Sequence, residues 1–153
     1  MKKIIPLLLL VLFLAGCSFF QPQIPRTLPD GSYLYQNKDL GFAITLPPSF
    51  DYYQTQRKAT ESFIDLEIFV PTADRIYFQE AAGYAKPIII RIFSKQDWQN
   101  LPAEDEKKKN FIQVGQKRDK IYALGFWSKP PADWLSIWSE EIKGEIIKSF
   151  KSL

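Results

Sequence analysis

The sequence predicts an α+β fold, an α/β/α sandwich with a mainly antiparallel sheet flanked by helices. Three observations predict it. Several runs alternate apolar and polar residues with the period of two expected of half-buried strands, as in Phe42, Ile44 and Leu46. Short turn-like segments separate these runs, which favours hairpins over long crossovers. Near the C-terminus Leu135, Trp138, Ile142, Ile146 and Phe150 recur at spacings of 3, 4, 4 and 4. At 100° per residue they cover about 120° of a helix, the width of a face packed on a sheet.

The elements follow in order. Residues 33–36 form a short strand, and the polar segment Asn37-Lys38-Asp39-Leu40-Gly41 turns the chain into a second strand, 42–46, which Pro47-Pro48 ends. In residues 63–70 the uniformly apolar set Ile64, Leu66, Ile68 and Val70 faces the core, leaving Phe63, Asp65, Glu67 and Phe69 on the other side. Residues 75–79 read as a further short strand, with 74–84 alternatively a loop or a short helix. The β-branched run Pro-Ile-Ile-Ile-Arg-Ile-Phe at 87–93 is a central strand. Residues 96–109 are the middle helix, split at Pro102. Two strands, 111–116 and 120–127, are joined at Lys117-Arg118-Asp119. Asp133, after Pro130-Pro131, is placed to cap the final helix. Residues 33–153 thus make one domain.

The first residues read differently. Lys2 and Lys3 precede an apolar run, 4–15, broken by Pro6. A membrane-spanning helix needs about 20 apolar residues, so the run fits the core of an export signal. It closes on Leu14-Ala15-Gly16-Cys17, which resembles the lipobox of bacterial lipoproteins. That resemblance implies a signal peptide over residues 1–16 and a lipid on Cys17, the chain's single cysteine. The mature protein would then be lipid-anchored on the extracytoplasmic face of a bacterial membrane. Residues 17–32, with Pro22, Pro25 and Pro29, read as an extended tether. Phe19 and Phe20 sit beside the lipid.

Composition narrows the chemistry. The net charge is +3, falling to +1 once Lys2 and Lys3 leave with the signal. Phosphate neutralisation needs more, so no nucleic-acid partner is expected. Histidine is absent, which removes the commonest general base and metal ligand. One cysteine makes no disulfide and no thiolate zinc site. Catalysis by a Ser–Lys dyad would fall to Ser94/Lys95 or Ser128/Lys129, but neighbours on a strand point apart. Glu104-Asp105-Glu106 fan outward as a solvated face, and Asp65 with Glu67 would at most bind a divalent cation weakly. The glycines are isolated and form no phosphate loop. We therefore expect no enzyme, no metal and no cofactor.

A second resemblance lies at the two ends of the body. Residues 35–47 (YQNKDLGFAITLP) followed by Phe50, and Lys120-Ile121-Tyr122-Ala123-Leu124 with Glu141, Ile146, Ile147, Lys148, Ser149 and Phe150, resemble the opening and closing motifs of PsbP-like domains. The resemblance implies the PsbP/Mog1-type α/β/α sandwich and non-catalytic binding to a larger complex. Aromatics near loops and element ends are the candidate contact residues: Trp98, Trp127, Trp134, Tyr52 and Tyr53. The sequence thus points to a binding or assembly module for an envelope or membrane protein complex. The alternative is a lipoprotein that binds an envelope glycan or another small molecule, which requires a concave aromatic pocket.

Overall fold

The computed structural model describes residues 26–153. The signal, Cys17, Phe19 and Phe20 lie outside the described residues. Nine strands form two antiparallel sheets among the described residues. The first holds β1 (Arg26–Thr27), β2 (Tyr33–Asn37), β3 (Phe42–Leu46) and, at the far edge, β9 (Lys151–Ser152). The second holds β4 (Gln54–Ala59), β5 (Phe63–Pro71), β6 (Tyr84–Ser94), β7 (Phe111–Lys117) and β8 (Lys120–Phe126), in the spatial order β4-β5-β6-β8-β7. Two helices accompany them: α1 (Lys95–Asn100) and α2 (Glu140–Ser149).

Each hairpin follows from local chemistry. Between β2 and β3 the Asn37 side chain accepts from the Leu40 N–H (3.0 Å). The Gly41 N–H donates to the Asn37 carbonyl (2.9 Å), and Gly41 takes φ +84°, a region where a Cβ is strained. The alternating residues then meet in one core. Tyr35, Phe42, Ile44 and Leu46 of the first sheet pack on Leu66, Ile68, Val70, Ile88, Ile90, Tyr122 and Leu124 of the second. The Tyr122 hydroxyl reaches the carbonyls of Leu40 (3.0 Å) and Gly41 (3.1 Å), tying the sheets together at that end. Helix α2 runs along the β3 edge that β9 leaves open. There Ser149 Oγ accepts from the Thr45 N–H (3.0 Å), and Ile146 and Phe150 enter the core.

The fold is therefore mainly β, which corrects the expected α/β/α sandwich. The strands read at 42–46, 63–70, 87–93, 111–116 and 120–127 are all present, β6 starting earlier, at Tyr84, and lying at the centre of its sheet. The helices fall short. The middle helix stops at Asn100 because Leu101, preceding Pro102, is extended (ψ 126°), as a residue before proline prefers. The final helix begins seven residues after Asp133. Its cap is Ser139, whose Oγ accepts from the Ile142 N–H (3.2 Å), while the Asp133 carboxylate is spent on another loop. Residues 75–77 form a 3₁₀ turn, not a strand, because Asp74 accepts from the Ile76 N–H (3.2 Å).

Only the short α1 covers part of the outer face of the second sheet, through Trp98 on Phe93, and the rest is covered largely by the sheet's own side chains. Asp65 and Glu67 are 6% and 3% exposed. Asp65 forms a two-pronged pair with Arg91, and the guanidinium lies between the rings of Phe63 (3.9 Å) and Phe111 (4.3 Å). Glu67 receives Lys86 on Oε1 (2.8 Å), while its Oε2 has Lys58 at 2.7 Å, near enough for an ion pair but off the hydrogen-bond angle. Residues 26–32, read from sequence as the end of the tether, form β1 and a turn. In that turn the Leu28 N–H donates to the Ser32 carbonyl (2.8 Å) and Gly31 takes φ +84°.

Candidate functional site

Aromatic side chains gather at the end of the sandwich opposite the β2–β3 turn. Pro130-Pro131 lead into a 3₁₀ turn over Ala132–Trp134 that drives Trp134 inward to 5% exposure. Its indole N–H donates to the Pro71 carbonyl (2.9 Å). The ring meets Phe50 edge-on (5.6 Å between centroids) and Trp127 likewise (5.8 Å). Trp138 closes the cluster, 5.2 Å from Trp127, 5.8 Å from Phe126 and 6.3 Å from Phe50. Edge-to-face pairs of this kind each add about 0.5–1.5 kcal/mol beyond burial. The indole N–H groups of Trp127 and Trp138 are buried and have no protein acceptor.

Two loops are fastened over this cluster. Asp133 accepts from the Thr72 hydroxyl (2.7 Å) and from the Ala73 N–H (2.9 Å). Burial pushes the Asp133 carboxyl up, but the Ala73 and Thr72 hydrogen bonds outweigh it and hold it below its ordinary value. In return Asp74 accepts from the Ala132 N–H (3.2 Å), and the Tyr77 hydroxyl donates to the Lys129 carbonyl (2.9 Å). These reciprocal bonds fix loops that carry large apolar side chains in water. Ile76 is 76% exposed, Leu135 60% and Ile137 38%. Tyr52, two residues after Phe50 and at φ +56°, is 79% exposed.

The candidate residues read from sequence divide. Trp127 and Trp134 come together, as support beneath the exposed side chains more than as contact surface. Tyr52 is exposed at the same end. Tyr53 instead joins Tyr33 (5.9 Å) and Tyr35 (6.4 Å). Its hydroxyl is buried with no partner, and burial pushes its pKa well up. Trp98 is elsewhere, on the outer face of the second sheet against Phe93 (5.2 Å), with Lys108 Nζ over its ring (4.6 Å). Sequence reasoning missed Ile76, Leu135 and Ile137 as exposed side chains. Leu135 fitted the helical stripe, so periodicity pointed away from its true position.

Several of the groups weighed for chemistry are engaged structurally. Ser94 Oγ caps α1, accepting from the Asp97 N–H (3.0 Å) and donating to the Asp97 carboxylate (2.7 Å). Asp105 accepts from the Lys107 N–H (2.8 Å), and Glu106 pairs with Lys109. Asp65 and Glu67 hold cations of the protein itself. No group of three or more carboxylate or thiol side chains is placed to hold a metal among the described residues. Of two surface clefts, one of about 470 Å³ lies between Gly41, residues 117–120, Tyr122 and Leu153. The other, of about 150 Å³, lies between Asp30, Pro48 and Ser149. Neither is lined by a tryptophan.

Residues 1–18 match the model of the prokaryotic membrane lipoprotein lipid attachment site. The chain carries a lipoprotein anchor. Cys17, its single cysteine, lies within the matched segment. Attachment to the membrane is thus through lipid, and no helix among the described residues is long and apolar enough to cross one. No curated protein and no solved structure matches the chain. The resemblance to PsbP-like domains gains no support from these comparisons, and its motif residues have a local account. Asn37, Leu40 and Gly41 make the hairpin turn, and Ile146 and Phe150 fill the core.

Proposed function

We propose that this lipoprotein is a non-catalytic binding or assembly module, lipidated at Cys17 and facing away from the cytoplasm, that engages a protein complex of the envelope. The observation that carries this reading is the set of large apolar side chains left in water by Tyr52, Ile76, Leu135 and Ile137. Four such residues at one end, on loops stiffened by five packed rings and by reciprocal hydrogen bonds, form a preorganised surface. Preorganisation reduces the ordering cost of binding, and apolar anchors carry most of the affinity in protein interfaces. Aromatic support below and carboxylates of Asp51, Asp74 and Asp133 around the edge match the apolar-centre, polar-rim pattern.

Site-specific photo-crosslinking in cells tests this. A photoreactive residue at Tyr52, Ile76 or Leu135 is expected to give one common adduct, lost in the Cys17→Ser chain. The same residue at Gln113, exposed on β7, should give none. Adducts at Gln113 but not at the three apolar positions would overturn the assignment of this surface. No protein adduct at any of them, with the chain folded and anchored, would favour the small-ligand reading.

A further inference from the structure

We propose that the opposite end of the sandwich is a docking surface for an anionic phospholipid bilayer, so that the protein stands on the membrane with its apolar loops held outward. The proposal rests on the anchor at Cys17 and not on the identity of any partner.

The first observation is the direction in which the chain enters the domain. Strand β1 pairs antiparallel with β2, Arg26 opposite Leu34 and Thr27 opposite Tyr33. Because β2 runs from Tyr33 towards the 37–41 turn, the N-terminal end of β1 points to the side of that turn. Cys17 to Pro25 is nine residues, which span at most about 30 Å even when fully extended. The segment contains no Asp, Glu, Lys or Arg, so it adds no charge of its own. Cys17 is therefore joined to the domain by at most about 30 Å of chain, attached at the end of β1 that points to this side.

The second observation is charge. The 37–41 turn, the 117–120 turn, the start of α1 and β9 all meet here. The Lys95 N–H donates to the Asp119 carbonyl (2.7 Å), and the Leu153 N–H to the Gly41 carbonyl (2.8 Å). Lys120 Nζ reaches the Leu40 carbonyl (3.3 Å). Lys38, Lys95, Lys117, Arg118, Lys120 and Lys151 are all exposed at this end. None of the six forms an ion pair among the described residues. Asp39, Glu61, Asp97 and Asp119 share the end, so six cations face four carboxylates. The opposite end is the more acidic: Asp30, Asp51, Asp74, Asp133, Glu140 and Glu141 outnumber Arg26, Arg75, Lys129 and Lys143, the last paired with Glu140. The domain is therefore polarised along the axis that the tether defines, and an anionic surface attracts the one end and repels the other. The 470 Å³ cleft between Gly41, Lys117, Arg118, Lys120 and Tyr122 is large enough for a phosphate headgroup.

The test uses the mature lipidated chain in lipid nanodiscs carrying a headgroup-linked quencher. A fluorophore is placed through Gln116→Cys, beside the 117–120 turn, or through Ile76→Cys at the far end. In discs that are one-third phosphatidylglycerol, quenching at position 116 is expected to exceed that at 76. The excess should fall roughly twofold or more in pure phosphatidylcholine, and again at about 0.5 M salt, where the Debye length is about 4 Å. Lys117→Glu with Lys151→Glu should abolish it. Lys38→Glu with Lys95→Glu is a second, independent reversal should the first not fold. Equal quenching at both positions, or an excess indifferent to lipid charge, salt and both reversals, would overturn the proposal. Because no partner is present, that failure would leave the crosslinking result standing, and the reverse.

Discussion

Removing the Asp65 carboxylate isolates the strongest interaction on the outer face of the second sheet. Asp65 and Arg91 are direct cross-strand partners on β5 and β6. Arg91 Nε donates to Oδ1 and Nη2 to Oδ2, both at 2.7 Å, and the side chains are 9% and 12% exposed. A planar guanidinium held in this fork and stacked between Phe63 and Phe111 cannot be replaced by a lysine without losing both features. Breaking a buried pair by deleting one partner costs roughly 3–5 kcal/mol, because the remaining charge is stranded. In Asp65→Ala, Arg91 keeps the Lys107 carbonyl (3.0 Å) and both rings, which places the loss at the low end, about 3 kcal/mol. Arg91→Met strips Asp65 of both its hydrogen bonds, leaving only Lys58 across on β4 nearby, and should lose more, about 4 kcal/mol. Asp65→Leu combined with Arg91→Met removes both charges and should return to within about 1 kcal/mol of the parent. Urea denaturation followed by tryptophan fluorescence gives the full cycle, and Asp65→Ala should lower Tm by roughly 10 °C. A loss below about 1 kcal/mol for Asp65→Ala would refute the reasoning. So would a double variant as unstable as the two single losses added together.

Two further predictions concern single polar atoms in the aromatic clusters. Trp134→Phe should cost about 2 kcal/mol or more, since it orphans the Pro71 carbonyl and thins the ring packing. Trp138→Phe removes an indole N–H that has no protein acceptor, so it should cost clearly less; equal losses in denaturant melts would contradict this account. Tyr53 gives a pH prediction. Burial raises its folded pKa above the ordinary value of 10.0, so its contribution is complete below that pH and is lost as pH rises past it. Tyr53→Phe should leave stability at neutral pH nearly unchanged, because the hydroxyl has no partner, and should flatten the alkaline arm of a stability-versus-pH curve. An unaltered alkaline arm would show that Tyr53 does not set it.

The elements that can be read from sequence are those whose burial is one-sided. In β3 and β5 the period of two names the residues that enter the core, Phe42, Ile44 and Leu46 and then Leu66, Ile68 and Val70, whereas β6 is legible from its β-branched run and β8 is buried on both faces. β4 (QTQRKA) is an edge strand exposed along its whole length. It carries no apolar pattern, and only its pairing with β5 makes it a strand. The outer face of β5 escapes for a related reason. Alternation puts Asp65 and Glu67 away from the core, yet nothing local reveals that Arg91 and Lys86 will cover them, because that depends on the register between β5 and β6. The C-terminal stripe shows the limit of periodicity. Ile142, Ile146 and Phe150 do line the core, but the helix cannot extend back to Leu135. Trp134 is pulled inward to the Pro71 carbonyl, and Asp133 is bound to Thr72 and Ala73.

That failure of the stripe is also what makes the candidate surface. Had the helix run back to Asp133, Leu135 would have packed on the sheet and Trp134 would have pointed out. Tertiary hydrogen bonds reverse the two: the indole goes in, and the leucine, with Ile137 and the facing Ile76, stays in water. Single exposed apolar side chains are ordinary, as at Ile112; what marks these three is that they share one end of the sandwich. Their exposure on loops anchored from both sides is what the proposed binding surface rests on. Under the bilayer-docking proposal, that surface is the one that faces away from the membrane.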